Sequence, residues 1–322
     1  MRVAVLIPCH NEATTIGKVV RDFRAALPEA QIWVFDNAST DQTSTIALGE
    51  GAHVRPVAAK GKGNVVRAMF RDVDAEVYVM VDGDDTYPAH AVAPLLADVI
   101  DGRADMVVGT RLESHEAASF RRFHGAGNQL VRRCVAMLFG SPVTDVLSGY
   151  RVFSRRFVKS MPVLSKGFEI ETEMTVFALA NGFVLSEHPI AYGVRPSGSQ
   201  SKLNTYRDGM RVLRTILFLF KDMRPLLFFG SIASALVLAG LGFGSVVISE
   251  FGRTGLVTHP STAVLAVALT LVGLLSLATG LILDTVNRRA NEIQRLITDQ
   301  LVRTDTGSAS AAPSAMHTVR ST

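Results

Sequence analysis

Residues 78–88 read YVMVDGDDTYP. Tyr78 to Val81 form a short apolar run that predicts a buried strand, and the run ends in three carboxylates, Asp82, Asp84 and Asp85. Such runs mark strands covered on both faces, as in a parallel, helix-flanked sheet. Like charges this close repel, and a hard divalent cation held by oxygen ligands relieves the repulsion. In an open α/β sheet, ligands bind beyond the carboxyl ends of the strands, where these residues fall. Taken alone, the stretch also suits an acidic surface turn, because Asp-Gly is common turn chemistry.

Working outward, the same grammar repeats. Val3 to Ile7 predict a strand ending at Pro8, and Ile16, Val19, Val20 and Phe23 then recur at helical spacing. Ile32 to Phe35 predict a second strand, followed by the polar loop DNASTDQT and a helix near 43–48. A third strand is expected at 53–57, and AAKGKG leads into a helix carrying Val65, Val66 and Met69. A helix over 91–100 and a strand at 106–108 follow the acidic stretch. Strands alternating with helices predict an α/β domain with a mostly parallel sheet. Further on, helices are expected at 127–139 and 170–181, with short strands at 152–154 and 184–187.

The carboxyl-terminal third differs. Residues 225–249 and 261–283 contain no charged side chain, which is long enough for two membrane-spanning helices. A buried hairpin of a soluble protein is the competing reading. Residues 206–221 predict an amphipathic helix with Arg207, Arg211 and Arg214 set against Leu213, Ile216, Leu217 and Leu219. Such a helix suits a membrane interface, or packs on the domain with its arginines in water. Basic residues flank both spans on one side (Arg207, Arg211, Arg214, Lys221 and Arg224, then Arg288, Arg289 and Arg295), while loop 250–260 has Arg253 offset by Glu250. The positive-inside bias places the front domain and the tail in the cytoplasm. The expected organisation is a catalytic domain over 1–205, an interface helix over 206–224, spans at 225–249 and 261–286, and a tail over 287–322, partly disordered.

The net charge of +4 is mild and its arginines cluster beside the first span, which favours a membrane surface over nucleic acid. The amino terminus runs straight into the first strand, so no leader is expected. Cys9 and Cys134 read as free thiols of a reducing compartment. His10 and His124 have no suitably spaced partner for a metal and read as hydrogen-bonded loop residues. Asp36 ends its strand where it suits a ribose or base, or caps its own loop. Lys60 and Lys62 flank a glycine before a helix, which suits phosphate, though the spacing is not a P-loop. Arg111, Arg121 and Arg122 offer planar forks for phosphate oxygens, or are solvated surface arginines.

These motifs carry a resemblance. From residue 2 to about 220 the chain resembles the family 2 glycosyltransferases, and within them the polyprenyl-phosphate glycosyltransferases such as dolichyl-phosphate mannose synthase. The matching stretches are IPCHNE (7–12), FDNASTDQT (35–43), KGKG (60–63), the D-x-D of DGD (82–84), DVLSGYRVFSRR (145–156), GFEIETEMT (167–175) and RPSGSQSKLNTYRDG (195–209). The D-x-D alone is weak. Their order, followed by two spans, is specific.

The resemblance implies a GT-A fold, a nucleotide-sugar donor, Mg2+ or Mn2+, polyprenyl phosphate as acceptor, and inversion at the anomeric carbon. Pro8, Asn11, Glu12 and Asp36 are then expected around base and ribose, with Lys62 nearby. Asp82 and Asp84, with Gly83 between them, are expected to hold the donor through the metal, Asp84 most directly, and Arg111 joins the donor set. Arg122 and Arg151 are candidates for the lipid phosphate, with Arg195 and Lys202 nearer the membrane. Glu171 or Glu173 falls where relatives with hydroxyl acceptors keep a base, and here sugar contact or positioning is expected.

Two departures narrow the expectation. The chain lacks the Q-x-x-R-W of processive synthases, and it has Asp85-Thr86 where many relatives have Leu-Gln. By resemblance, the DGDDTYP subgroup points to a UDP-sugar rather than GDP-mannose. The alternatives are a GDP-mannose-dependent synthase, transfer to another lipid, and a non-catalytic membrane scaffold. Oligomeric state stays open, a homo-oligomer included.

Overall fold

The computed structural model describes residues 1–111, 133, 135–137, 143–193 and 205–310, the last range as backbone alone at 205–209, 211–213, 291, 294–295 and 297–310. Seven strands form one sheet in the order β3-β2-β1-β4-β6-β5-β7. They are β1 (Val3–Cys9), β2 (Gln31–Asp36), β3 (His53–Pro56), β4 (Val77–Met80), β5 (Met106–Thr110), β6 (Arg151–Ser154) and β7 (Leu185–Pro189). All neighbouring pairs are parallel except those of β6, which runs antiparallel to both β4 and β5.

The strand runs are apolar throughout because both faces are covered. Val5 and Ile7 of β1, with Val77 and Val79 of β4, face a core closed by α1 (Ile16–Ala26), α2 (Thr43–Gly49) and α4 (Val92–Ile100). Ala4 and Leu6, with Tyr78 and Met80, face the opposite core, closed by α3 (Lys62–Asp72), α5 (Arg155–Ser160) and α6 (Ile170–Ala180). Strand side chains alternate faces, so consecutive apolar residues feed two cores in turn. The expected helix at 127–139 lies almost wholly outside the described residues, of which 133 and 135–137 are helical.

The edge strand β7 is fastened by Asp98 of α4, which accepts from His188 Nε2 at 2.7 Å, Ser186 Oγ at 3.0 Å and Arg103 Nε at 2.9 Å. The bonds from His188 and Arg103 hold this carboxyl at about 2, below its usual 3.8. A carboxylate depressed in the folded state stabilises above its unfolded value and loses that contribution as pH falls toward the folded one. Asp98→Asn is therefore expected to flatten the fall of the thermal midpoint between about pH 4 and pH 2. A variant whose melting curves track the parent's across that window would show that the edge strand does not depend on this carboxylate.

Beyond α6, α7 (Thr205–Met223) buries Ile216 and Leu219 against Val176 of α6 and against Val135, Val143 and Val146. Its other side exposes Arg214, Leu217 and Phe218. Of the two sequence readings, packing on the domain is the one observed here, with Arg214, Leu217 and Phe218 left on the outer side. Pro225 then starts α8 (Pro225–Thr254), and α9 (Pro260–Ser310) returns antiparallel. Two helical stretches, Pro225–Thr254 and Pro260–Ala290, are long and apolar enough to cross a membrane, with mean hydropathies of 2.1 and 2.3.

The hairpin seam is made of small residues. A Cβ on Gly273 would lie 2.8 Å from Val237 Cγ2, and Gly240 sits against Ala266 and Thr270. Close backbone approach of this kind drives helix association where no water is present to expel apolar surface. At the domain end, Ser276 Oγ donates to the Phe229 carbonyl at 3.0 Å, and the Asn287 amide donates to the Asp222 carbonyl. Helix α9 runs on into the tail expected over 287–322, as far as Ser310, with Asp284 and Arg288 paired one turn apart and no proline after Pro260 in the run.

Candidate active site

The chain passes from β1 to β2 and β3 on one side, then crosses back to β4 on the other side of β1. That reversal opens a crevice beyond the carboxyl ends of β1, β2 and β4. Three loops line it: 10–15, 37–42 and 81–88. Among the described residues, the non-glycine positions with positive φ are Asn11 (52°), Ala38 (56°) and Asp85 (59°), one in each loop. Left-handed backbone at residues with a Cβ is strained and persists where surrounding contacts impose it, which happens most often at functional sites.

Those contacts knit the loops together. Asn11 Oδ1 accepts from Thr40 N at 2.8 Å, and Asn11 N donates to Ser39 Oγ at 2.9 Å. Asn37 ties the second loop to the third strand's exit, donating to the carbonyls of Val57 and Ala59 and accepting from Gly61 N at 2.7 Å. Pro8 lies near the carboxyl end of β1, paired in register with Phe35. Glu12 is buried, its N–H bonded to Thr43 Oγ1, and its side chain lies beside Gly83. Gly83 is closely packed there, since a Cβ would sit 2.6 Å from Cys9 Sγ and push that side chain aside. His10 Nδ1 lies 2.8 Å from the Asn37 carbonyl, so it is the hydrogen-bonded loop residue expected.

The three carboxylates do not gather around one point, which corrects the expectation of a repelling cluster. Asp82 pairs with Lys62 at 2.5 Å, Asp85 with Lys18 at 2.8 Å, and Asp84 Oδ1 accepts from Thr86 Oγ1 at 2.6 Å. Two of the charges are met by lysines. Lys62 also reaches Glu171 Oε1 at 2.6 Å, so a buried ammonium bridges the end of β4 and the first turn of α6. Burial opposes the charge on Lys62, but the two carboxylates outweigh it and hold its pKa above the ordinary lysine value. Burial raises the Glu171 carboxyl, the Asp82 charge adds to the rise, and Lys62 opposes both.

Glu171 and Glu173, both candidates from sequence, separate by role. Glu173 accepts from Leu164 N at 2.8 Å and Ser165 N at 2.7 Å, which clamps the loop before α6. Glu171 alone of the two reaches the crevice's charged pair. The glycines of KGKG also gain a reason other than phosphate. Gly61, at φ 119°, and Gly63 pass against the carbonyls of Lys166 and Ser165, leaving no room for a Cβ.

Several expected site residues are placed away from open crevice surface. Arg151 is a correction: its side chain is fully buried, donating to the carbonyls of Ser148 (2.9 Å) and Val146 (2.7 Å) and to Thr175 Oγ1 (2.9 Å). It organises the loop before β6 and presents no donor to a lipid phosphate. Burial pulls its guanidinium down to about 10, so it stays charged at neutral pH. Arg111 forms a two-pronged pair with Asp145 at 2.7 and 2.8 Å and lies over Tyr192. Asp36 accepts from Ser39 N at 2.9 Å and from Ser44 Oγ, the loop-capping arrangement. Arg122, Arg195 and Lys202 lie outside the described residues, as do Arg121, His124 and Cys134.

Gly149 is a residue that sequence reasoning passed over. The Asp82 carboxylate lies against its Cα, where any Cβ would collide, and its N–H donates to Tyr87 Oη at 3.0 Å. The signal was present in the SGY of 148–150, a glycine just before a strand inside a quoted motif.

A hard divalent ion that keeps several waters needs only one or two carboxylates beside the phosphates of its ligand. The oxygen donors of Asp82 and Asp84 at a single strand end fit that requirement. Among the described residues, no group of three or more His, Cys, Asp or Glu forms a cage for a metal by itself.

Residues 4–160 match the model of glycosyl transferase family 2. The chain is 35% identical over 285 residues to glycosyltransferase AglJ of Haloferax volcanii, covering 88% of this chain and 93% of that one. The chain belongs to glycosyltransferase family 2. The glycosyltransferase is also 29% identical to the dolichyl-phosphate hexose transferase of Haloferax volcanii, over 67% of its own length and 92% of that protein. In fold it matches glucosyl-3-phosphoglycerate synthase from Mycobacterium tuberculosis, solved in complex with Mn2+, UDP and glucosyl-3-phosphoglycerate. That match has a TM-score of 0.57 at 21% identity, over 68% of this chain and 79% of that one. The glycosyltransferase is thus related to polyprenyl-phosphate sugar transferases and has a GT-A-like fold.

Proposed function

We propose that this glycosyltransferase moves a sugar from a UDP-sugar to polyprenyl phosphate, with inversion, at the cytoplasmic face of a membrane. The observation that carries the reading is architectural: the strand-end crevice belongs to a domain packed on α7, and α7 leads directly into a hairpin long enough to span a bilayer. A water-soluble acceptor would need no such attachment. The named relative that acts on dolichyl phosphate and the fold neighbour solved with UDP and Mn2+ support the two substrate classes.

In the proposed reaction, a lipid phosphate oxygen attacks the anomeric carbon as the bond to the diphosphate breaks. The phosphate is already anionic near neutral pH, so it needs no strong base. Alignment therefore contributes most of the rate, and the loops fixed by Asn11, Asp36 and Asn37 would hold the base and ribose. Asp82 and Asp84 would hold Mg2+ or Mn2+, which when bound offsets charge on the leaving diphosphate. Lys62 contributes a fixed positive charge beside them. The acceptor phosphate is assigned to Arg122, Arg195 and Lys202.

The test is a panel of labelled sugar nucleotides offered with polyprenyl phosphate to membranes carrying the protein. A mild-acid-labile glycolipid formed from a UDP-sugar is expected. Product from GDP-mannose alone would shift the reading to a mannose synthase, and glycolipid from none of them would overturn it.

A second expectation concerns α7. Leu217 and Phe218 are 56% and 55% exposed, and Lys221 Nζ lies 4.5 Å over the Phe218 ring. Replacing both with Ser is expected to lower transfer in vesicles about thirtyfold, since each apolar side chain lost from a lipid contact costs on the order of 1 kcal/mol. UDP binding should not change. Undiminished transfer would mean that this face does not meet lipid.

A further inference from the structure

Glu171 is poorly explained by packing. It is 3% exposed, one oxygen is bonded to Lys62, and the other, Oε2, is buried with no hydrogen-bond partner. A buried carboxylate oxygen left without a partner is costly, and a native protein keeps one only for a reason. Its neighbour on the other side of Lys62 is Asp82, whose carboxylate lies against Gly149. The Lys62 ammonium thus sits between an acid of the D-x-D motif and a buried acid with a spare acceptor oxygen.

We propose that Glu171 is a positioning residue that takes sole charge of Lys62 when Asp82 turns to the divalent cation of the donor, an inference that rests on the function proposed above. An ammonium and a divalent cation compete for the same carboxylate, so a lysine on Asp82 weakens it as a ligand. With Asp82 as its only counter-charge, Lys62 could not let go without becoming a buried, unpaired cation. Glu171 removes that obstacle. Its Oε1 already holds the ammonium, and Oε2 offers a second acceptor on the same side chain, so Asp82 can turn away without Lys62 needing a new partner. Lys62 then stays charged in the crevice, where the diphosphate of the donor concentrates negative charge.

The electrostatics fit the exchange. Lys62 is shared by Asp82 and Glu171, and the buried Arg151 guanidinium also acts on Glu171 by its charge. Glu171→Gln removes one of the two counter-charges of Lys62 and leaves it with Asp82 alone. Lys62→Met together with Glu171→Gln removes both the competitor and its counter-charge, returning Asp82 to the cation.

The experiment measures free Mn2+ by its paramagnetic resonance signal, with UDP present, for the full-length protein in detergent. Glu171→Gln is expected to weaken Mn2+ uptake about tenfold or more, and the double variant Lys62→Met/Glu171→Gln to restore it to the parent level. UDP binding without metal should be no weaker in Glu171→Gln than in the parent, because the variant removes a negative charge beside the diphosphate. Equal Mn2+ affinity in the parent and Glu171→Gln, or a double variant as weak as the single one, would overturn the inference and leave the proposed function standing. A parent that takes up no Mn2+ with UDP would overturn both. Should Glu171→Gln fail to fold, Glu171→Asp is read in its place, because the shorter arm cannot keep Lys62 while Asp82 turns away. Unchanged Mn2+ affinity there has the same overturning force.

Discussion

Asp84→Asn is expected to lower sugar transfer about a thousandfold, the scale of losing several kcal/mol of charge stabilisation at the leaving diphosphate. The substitution isolates that charge. Asp84 is 3% exposed, and its Oδ1 accepts from Thr86 Oγ1 at 2.6 Å and from Thr86 N at 3.3 Å. An asparagine oxygen in the same place keeps both bonds, so the turn after β4 survives and stability should change by no more than about 1 kcal/mol. Alanine would remove the turn's acceptor along with the charge and mix the two effects. The measurement is initial rate at saturating metal, paired with the melting midpoint of the same preparation. Near-parental turnover of Asp84→Asn would remove Asp84 from the metal site. A collapsed midpoint would mean that the carboxylate charge itself holds the loop.

The sheet was legible because of how it is buried. β1, β2 and β4 feed two cores at once, so their sequences are unbroken apolar runs that end where polar loops begin. Direction was less legible. β6 reads as a strand from Val152 and Phe153, yet nothing local says that it runs against β4 and β5. α5 escaped notice because six residues hold too little of a helical period; its only signal is Ser154, whose Oγ accepts from Phe157 N at 3.1 Å. The helical continuation of α9 into the tail has no apolar periodicity to announce it, because helices end at breakers and not at a loss of hydrophobicity.

In the crevice, the motifs located the right loops but not the partners within them. Lys62 and Glu171 are remote in sequence, and only the packing of α3 and α6 on the same face of the sheet brings them together. The D-x-D stretch reads as repulsion that a cation alone would relieve, since a linear reading shows three acids and hides the lysines of α1 and α3 that answer two of them. Glu171 and Glu173, two residues apart, diverge around the helix, so one reaches the crevice while the other clamps a loop. The polar groups with the greatest burial were the least legible.

Arg151 is the extreme case, and it carries the largest expected effect on stability. Arg151→Ala should destabilise the domain by on the order of 4 kcal/mol, because it strands three buried acceptors, each costing about 1–3 kcal/mol, and opens a cavity in the core. The acceptors are the carbonyls of Ser148 and Val146 and the hydroxyl oxygen of Thr175. The first two belong to the loop that carries Gly149, against which the Asp82 carboxylate rests. The same variant should therefore lose donor binding as the loop loosens, even where the protein still folds. Arg151→Met separates the two consequences: it refills most of the volume and leaves the same acceptors stranded. Thermal melting of both variants, beside UDP binding at a temperature where each is folded, reads the result. If either variant kept the parent's midpoint and the parent's UDP affinity, the guanidinium would not be what shapes the loop, and an uncharged core would serve as well.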